Sequence, residues 1–428
     1  MHIYEDFAHY IWKHKLYISN NFHTTDGLQL EIIHPGIHNT NAGPDFFNAK
    51  IKIGDTLWAG NVEIHIKGSD WFRHNHHTDK AYDNVILHVV IEDDKIATNT
   101  LNNYIPTWIM PITDSIKNNY LELFQNQLWI PCANKIKNVN SFDYENWLDR
   151  MLAEKLELKH EWMSQVLENN KNDWNSLFYA TLLRNFGFGI NGDTFEKLAF
   201  NTPWILIQKN RDNLTVLEAL FLGQGGFLSD IENPDEYSSI LIREYLHLKN
   251  KYNLTPLEIH EWKFSKLRPS NFPSIRLVQI ASLFYNDKLS LKKILDTSEV
   301  SALNKLLSVS ISEYWQTHYY PSRASVKKGK TIGKFAKHLI LINTFIPIAF
   351  AYGKAHDDET LRQKAIDWLE DLPPEKNSII KKWGEIYHPP KNAQQTQAIV
   401  FLKKNYCDLK KCLHCRIGHI VLAKTEKN

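Results

Sequence analysis

Two carboxylates and several imidazoles crowd the stretch GPDFFNAKIKIGDTLWAGNVEIHIKGSDWFRHNHHTDKAYDNVILHVV, residues 43–90. In NVEIHI the side chains of a strand alternate, so Val62, Ile64 and Ile66 face one way while Glu63 and His65 face the other. A carboxylate and an imidazole two residues apart therefore aim at the same volume. Asp45 follows Pro44 and leads into AKIKI, which places it at a strand end. His88 alone breaks the apolar run NVILHVV, so it is predicted to be buried in a strand covered on both faces. Asp45 and Glu63 suit Mg²⁺ or Mn²⁺, which prefer oxygen ligands and keep waters. Such an ion acidifies a bound water and neutralises charge on a phosphoryl group. His65 is then placed to orient the attacking water or to stabilise charge.

The turn SDWFRHNHHTDKAYDN adds His74, His76 and His77 with Asp70, Asp79 and Asp83. Three readings fit: imidazole ligands for a transition metal such as Zn²⁺, a loop closing over the sheet face, or a polar surface turn. Trp71 is expected to pack rather than to stack on a base.

Four cysteines carry a second candidate chemistry: Cys132, Cys407, Cys412 and Cys415. A C-x4-C-x2-C run plus a distant cysteine is a plant-ferredoxin-type spacing and supplies the four sulfurs of an iron–sulfur cluster. Zinc accepts the same four, or three with His419. Either centre requires Cys132 to meet the tail; unconnected reduced thiols are the plain alternative.

Two further basic sets could contact a nucleic acid. In KLRPSNFPSIRL, Arg268 and Arg276 flank prolines that fix the backbone. Arginine suits bidentate contact with phosphate, but an internal Arg–Glu network with Trp262 and Phe272 nearby is the stronger expectation. Tyr319, Tyr320 and Arg323 precede VKKGKTIGK, where Lys327, Lys328, Lys330 and Lys334 form either a solvated connector or a phosphate-contacting loop.

The elements that must position these groups differ along the chain. A helix is predicted over 3–20, with Tyr4, Phe7, Ala8, Ile11 and Trp12 on one face. Strands are predicted at 28–33, 49–53, 61–66, 84–91 and 104–110, separated by turn residues. From about 140 onward helical periodicity dominates and no fixed-length repeat emerges. A chain of 428 residues exceeds what one core organises. The expected fold class is α+β: a mixed-sheet α/β domain over 1–115, then a helical domain over 116–428 ending in the cysteine-rich tail.

Composition narrows the function. The hydrophobic share of 43% and charged share of 23% are those of a globular protein. A net charge of +2 argues against a polybasic binder, yet leaves room for a nucleic-acid enzyme with a local basic groove. The N-terminus lacks the basic start and apolar run of a signal peptide. The apolar run at 339–352 is interrupted by Asn343, Thr344 and Pro347 and is expected to be a buried helix rather than a membrane span. A cytoplasmic location with no membrane partner follows as an expectation; no feature fixes an oligomeric state. There is no Gly-rich phosphate loop and no G-x-S-x-G elbow, which argues against a nucleotide-binding enzyme and an α/β-hydrolase.

The order helix, strand, Pro-Asp strand, Glu-x-His strand resembles the restriction-endonuclease-like PD-(D/E)xK nuclease superfamily. Pro44–Asp45 and Glu63–Ile64–His65 carry the resemblance, with Glu5 on the first helix as an extra acid and His65 where that superfamily has a lysine. It implies a restriction-endonuclease-like sheet and metal-dependent cleavage of DNA or RNA by Asp45, Glu63 and His65, with His88 and Glu5 in support. Some nucleases of that superfamily carry an iron–sulfur staple of one upstream and three C-terminal cysteines. The alternative is a non-catalytic nucleic-acid-binding or scaffold protein on the same fold, with the histidine for lysine as its mark. Over nearly its full length the chain also resembles a bacterial family of uncharacterised proteins, through GPDFFNAKI, GNVEIHIKGSDW, HTDKAYDNVILHVV, KLRPSNFPSIRL and YCDLKKCLHCRIG.

Overall fold

Alternating apolar and polar side chains turn residues 22–109 into one mixed sheet. The computed structural model describes residues 4–17, 22–169 and 171–424. Its strands are β1 (Phe22–His23), β2 (Gln29–His34), β3 (Ile37–His38), β4 (Phe46–Ile53), β5 (Thr56–Lys67), β6 (Val85–Glu92) and β7 (Thr107–Ile109). The order is β1-β2-β4-β5-β6-β7, with β3 also on β4. Pairing is antiparallel as far as β5 and parallel from β5 through β7. The five predicted strands are all present, and the two additional ones are only two residues long, too short to give a periodic signal.

Helix α1 (Glu5–Lys13) buries Phe7, Ala8, Tyr10, Ile11 and Trp12. It is shorter than predicted: Lys15 has φ +51°, which ends the helical run, and the outer ends of the predicted 3–20 helix lie outside the described residues. The Trp12 ring packs against Phe46 and Trp108, and its indole N–H donates to the Pro35 carbonyl at 2.9 Å. Phe46 pairs with Val62, so α1 covers the face that carries Phe46, Val62, Ile64 and Val89, all essentially buried. Each such side chain contributes roughly 1.5–3 kcal/mol of burial.

The opposite face, which carries Glu63, His65 and His88, is covered by residues 69–83. Helix α2 (Asp70–Arg73) and two single 3-10 turns fold back over it. Trp71, Tyr82, Val85, Ala97 and Ile105 form the small core beneath. Trp71 donates its indole N–H to the Thr98 carbonyl, and the Asp83 carboxylate accepts from the Thr100 amide and hydroxyl. Gly68 starts this turn at a point where a Cβ would stand 2.4 Å from the Lys95 carbonyl oxygen. The histidine turn is therefore the loop closing over the sheet, and Trp71 packs as expected.

The chain divides into one unit of Met1–Trp147 with Leu402–Asn428 and a second of Leu148–Phe401. The expected boundary at 115/116 falls inside the first unit, which also holds α3 (Asp114–Gln125) and takes back the C-terminal helix Arg416–Ala423. That return is driven by burial of Ile417, Val421 and Leu422 and by Asn119, whose amide donates to the Leu422 and Lys424 carbonyls. Helix α4 (Ser141–Asn169) spans the division point.

The second unit is helical, with a two-stranded ribbon of His318–Tyr320 and Arg323–Ala324 as an addition to the all-helical expectation. The helix Pro273–Phe284 is buried at every position. The apolar run is a continuous helical stretch over Lys334–Ala355, long and apolar enough by length and composition to cross a membrane, and it is mostly buried inside this unit. A π turn at Leu341–Phe345 marks the interruption read from the sequence. Pro347 has no N–H for the Asn343 carbonyl, and the Asn185 amide donates to that carbonyl instead, at 3.0 Å.

Candidate metal centre

Strands β4 and β5 pair as far as Phe46 and Val62 and then part. At this fork two carboxylates take over ladder bonds. The Asp45 amide donates to Glu63 Oε2 at 3.0 Å, and the Ile64 amide donates to Asp45 Oδ2 at 2.9 Å. Each acid is thus held by the other's strand. His9 Nε2 on α1 lies 3.1 Å from Asp45 Oδ2. Burial pulls the His9 pKa down, but Asp45 outweighs it and holds the imidazole above its usual value. Glu5 sits one helical turn before His9; burial raises its carboxyl, opposed by His74 and His9.

The second oxygen of Glu63 meets the histidines. Oε1 lies 3.1 Å from His76 Nε2 and 3.6 Å from His65 Nε2. His65 Nε2 is 3.2 Å from His74 Nδ1, and His65 Nδ1 is 2.9 Å from His88 Nε2. One ring nitrogen each of His65, His74 and His76 falls within 4.8 Å of the others. Among the described residues this is the one group of three or more metal-type side chains that close. Tyr82 stacks on His76 with ring centres 3.8 Å apart, and Trp71 abuts His65 and His88. Glu63, His65, His76 and His88 are buried while His74 is exposed. His77 leaves the group and lies against Phe72.

Burial dominates the electrostatics. It pushes His65 down to about 2, with His88, His76 and His74 adding, and pushes His88 down to about 3. His76 is lowered for the same reason. Glu63 is pushed up to about 9 by burial and then by Asp45. Burial thus favours the neutral form of His65, His76 and His88, the form in which histidine binds a metal. A cation among them would act on Glu63 in the sense opposite to burial.

His9 also lines a cleft of about 280 Å³ between the outer face of α1 and the loop at 408–414. Lys13, His14, His38, Lys410, Lys411 and His414 share it with a single acid, Asp6. Lys410 is tied to the Phe124 carbonyl at 2.7 Å. Burial, then His419, pushes His14 down to about 4.

The four cysteines are free thiols in the first unit. Burial raises Cys132, and the nearby Cys415 and Cys412 add to it. Burial raises Cys407 too, with Cys132, Cys415 and Cys412 adding. Cys132 and the tail cysteines thus bear on one another electrostatically. Cys412 is pushed up to about 12 and Cys415 to about 11, in both cases by burial. The amides of Gly418 and Ile417 and the Trp147 side chain lean the other way on Cys415, which caps the last helix. Gly418 is required here, because a Cβ would stand 2.1 Å from the Cys412 carbonyl oxygen. Among the described residues, no three of the sulfurs are drawn together as the imidazole trio is. His419 faces the Tyr10 hydroxyl through its Nδ1.

The other predicted basic residues belong to the second unit. Arg276 is 5% exposed, donates to Gln279 and Asn271 at 2.7 Å each, and lies over the Phe188 ring. The expected internal lock exists, but its partners are amides rather than glutamates. Arg268, Arg323, Lys327 and Lys328 are exposed, and Arg323 lies over Tyr320. Lys330 is buried and donates to the Trp315 and Gln316 carbonyls, which anchors the basic loop. One group in this unit went unread: Glu218, fully buried in the helix Leu214–Gln224. Its Oε2 accepts from Tyr237 and Trp315, and burial pushes it up to about 7. His9 was likewise missed; its four-residue spacing from Glu5 on one helix face was the available signal.

Comparison with known proteins places the chain. It belongs to the family described as Protein of unknown function (DUF2851), which matches residues 5–378. That span includes Asp45, Glu63 and the histidine turn and stops short of Cys407. Neither the curated proteins nor the solved structures return a match.

Proposed function

We propose that this member of the family is a metal-dependent phosphodiesterase acting on DNA or RNA through Asp45, Glu63 and His65. The observation that carries the proposal is the strand fork, where two carboxylates are cross-braced by each other's backbone and a buried imidazole adjoins them. Asp45 and Glu63 would hold Mg²⁺ or Mn²⁺, and the ion would supply an acidified water and charge neutralisation at phosphorus. The chain's own groups do the rest. His65, held by His88, can orient an attacking water or stabilise charge. His9 fixes the Asp45 carboxylate, and the cleft with Lys13 and Lys411 offers the positive field a phosphodiester backbone needs.

Cleavage of single- and double-stranded DNA and RNA, with Mn²⁺ or Mg²⁺ supplied, tests this. Asp45→Ala and Glu63→Ala should each abolish cleavage while oligonucleotide binding persists. Binding without cleavage by the unaltered protein under every ion would favour the alternative, a non-catalytic nucleic-acid-binding or scaffold protein.

We also propose that Cys132, Cys407, Cys412 and Cys415 hold a structural zinc ion or an iron–sulfur cluster. The burial of Cys132, Cys412 and Cys415 and the electrostatic influence the four exert on one another support it. Metal analysis of anaerobically purified protein, with absorbance from 300 to 500 nm, separates the two: iron with visible absorbance, or colourless zinc. Neither metal present, or metal content unchanged in Cys407→Ser, would leave four reduced thiols.

A further inference from the structure

We infer that His65, His74 and His76, together with Glu63 Oε1, form a seat for one transition-metal ion of the zinc class. In a tetrahedral shell with metal–donor bonds of about 2.0–2.1 Å, neighbouring donors stand roughly 3.3 Å apart. The structure gives 3.2 Å from His65 Nε2 to His74 Nδ1, 3.1 Å from His76 Nε2 to Glu63 Oε1, and 3.6 Å from His65 Nε2 to Glu63 Oε1. The donors converge from two independent sources. Glu63 and His65 stand on one face of β5, and His74 and His76 return to it from the turn after the strand.

Donor type then selects the ion. Three imidazoles and one carboxylate oxygen suit Zn²⁺, whereas Mg²⁺ demands oxygen donors and near-octahedral geometry. The surroundings are those of a held ligand set. His65 uses its remaining ring nitrogen on His88 at 2.9 Å, the kind of outer contact that fixes a ligating imidazole. Tyr82 stacks on His76, and Trp71 packs against His65. Asn75, between His74 and His76, adopts φ +64°, a left-handed turn that reverses the chain between the two ligands and that asparagine tolerates.

The inference goes beyond the hydrolytic proposal, because the ion would bind here whether or not the site cuts a phosphodiester. The experiment is zinc binding by the full chain, purified without a histidine tag, stripped with chelator and titrated with Zn²⁺. The measurement uses the Cys412→Ser background, so that thiol-bound metal does not add to the count. One high-affinity zinc per chain is expected, with Mg²⁺ at millimolar concentration failing to displace it. His74→Ala, an exposed position that leaves the sheet core intact, should weaken zinc at least tenfold, and His76→Gln should do the same. His77→Ala, in the same turn but outside the group, should leave affinity unchanged. His88→Gln should weaken it by roughly 10–100-fold, the usual cost of losing an outer partner. Equal zinc affinity in His74→Ala and the parent, or displacement by Mg²⁺, would overturn the seat. Zinc bound without any nuclease activity would leave the seat standing and remove the hydrolytic proposal; cleavage with Mg²⁺ in protein that binds no zinc would do the reverse.

Discussion

Glu63 divides its two oxygens, one to the fork and one to the imidazoles, and burial still favours its protonated form. Glu218, the buried carboxylate of the second unit, accepts from Tyr237 and Trp315 and is still raised by burial. Its folded pKa is about 7 against an ordinary 4.5, raised by burial. Because the folded state holds the proton more tightly, the stabilising contribution is complete below pH 4.5 and is lost as pH rises through about 7. Glu218→Gln mimics the protonated acid and cannot ionise. It should therefore unfold like the parent at pH 4, and above pH 7 it should be more stable by roughly 2–4 kcal/mol. Urea denaturation at several pH values checks this, and parallel pH profiles for the two proteins would refute it.

Strand periodicity made much of the centre legible. Glu63 and His65 were read onto one face of β5, and the lone polar residue in β6 marked His88 as buried; both are found so. What strand patterns cannot encode is which strands part and what crosses the gap. The bracing of Asp45 against Ile64 and the approach of His9 from α1 are long-range contacts with no local signature. The same limit hid the basic cleft, since Lys13 and Lys411 are almost 400 residues apart in sequence yet line one space. Lys13→Glu with Lys411→Glu should weaken binding to a short single-stranded oligonucleotide. It should also flatten the salt dependence, by about one unit of log–log slope for each phosphate that is no longer neutralised. An unchanged slope in fluorescence anisotropy would separate that cleft from the nucleic acid. The loop that presents Lys411 depends on Gly418. Gly418→Ala forces a Cβ onto the Cys412 carbonyl, and it should cost about 1–3 kcal/mol or more and lower the melting temperature. A melting curve that overlays the parent's would show that the 412–414 turn yields without cost.

Over the whole chain, the switch from sheet to helix was visible because strand signals fade and helical periodicity dominates from about residue 140. The compact units obey burial rather than that switch, so α3, the segment to Trp147 and the last helix join the sheet. A sequence pattern ends locally, whereas a core recruits any segment whose apolar face it can cover, even from the far terminus. The family match extends through most of both units. The most direct test of the central claim is a single-turnover cleavage assay on labelled oligonucleotides. Protein is stripped by chelator, then restored with Mn²⁺, Mg²⁺ or Zn²⁺, and compared with Asp45→Asn. Cleavage should appear only on restoring a divalent ion, and Asp45→Asn should lack it at every ion concentration. No cleavage with any ion, or equal cleavage by Asp45→Asn, would contradict it.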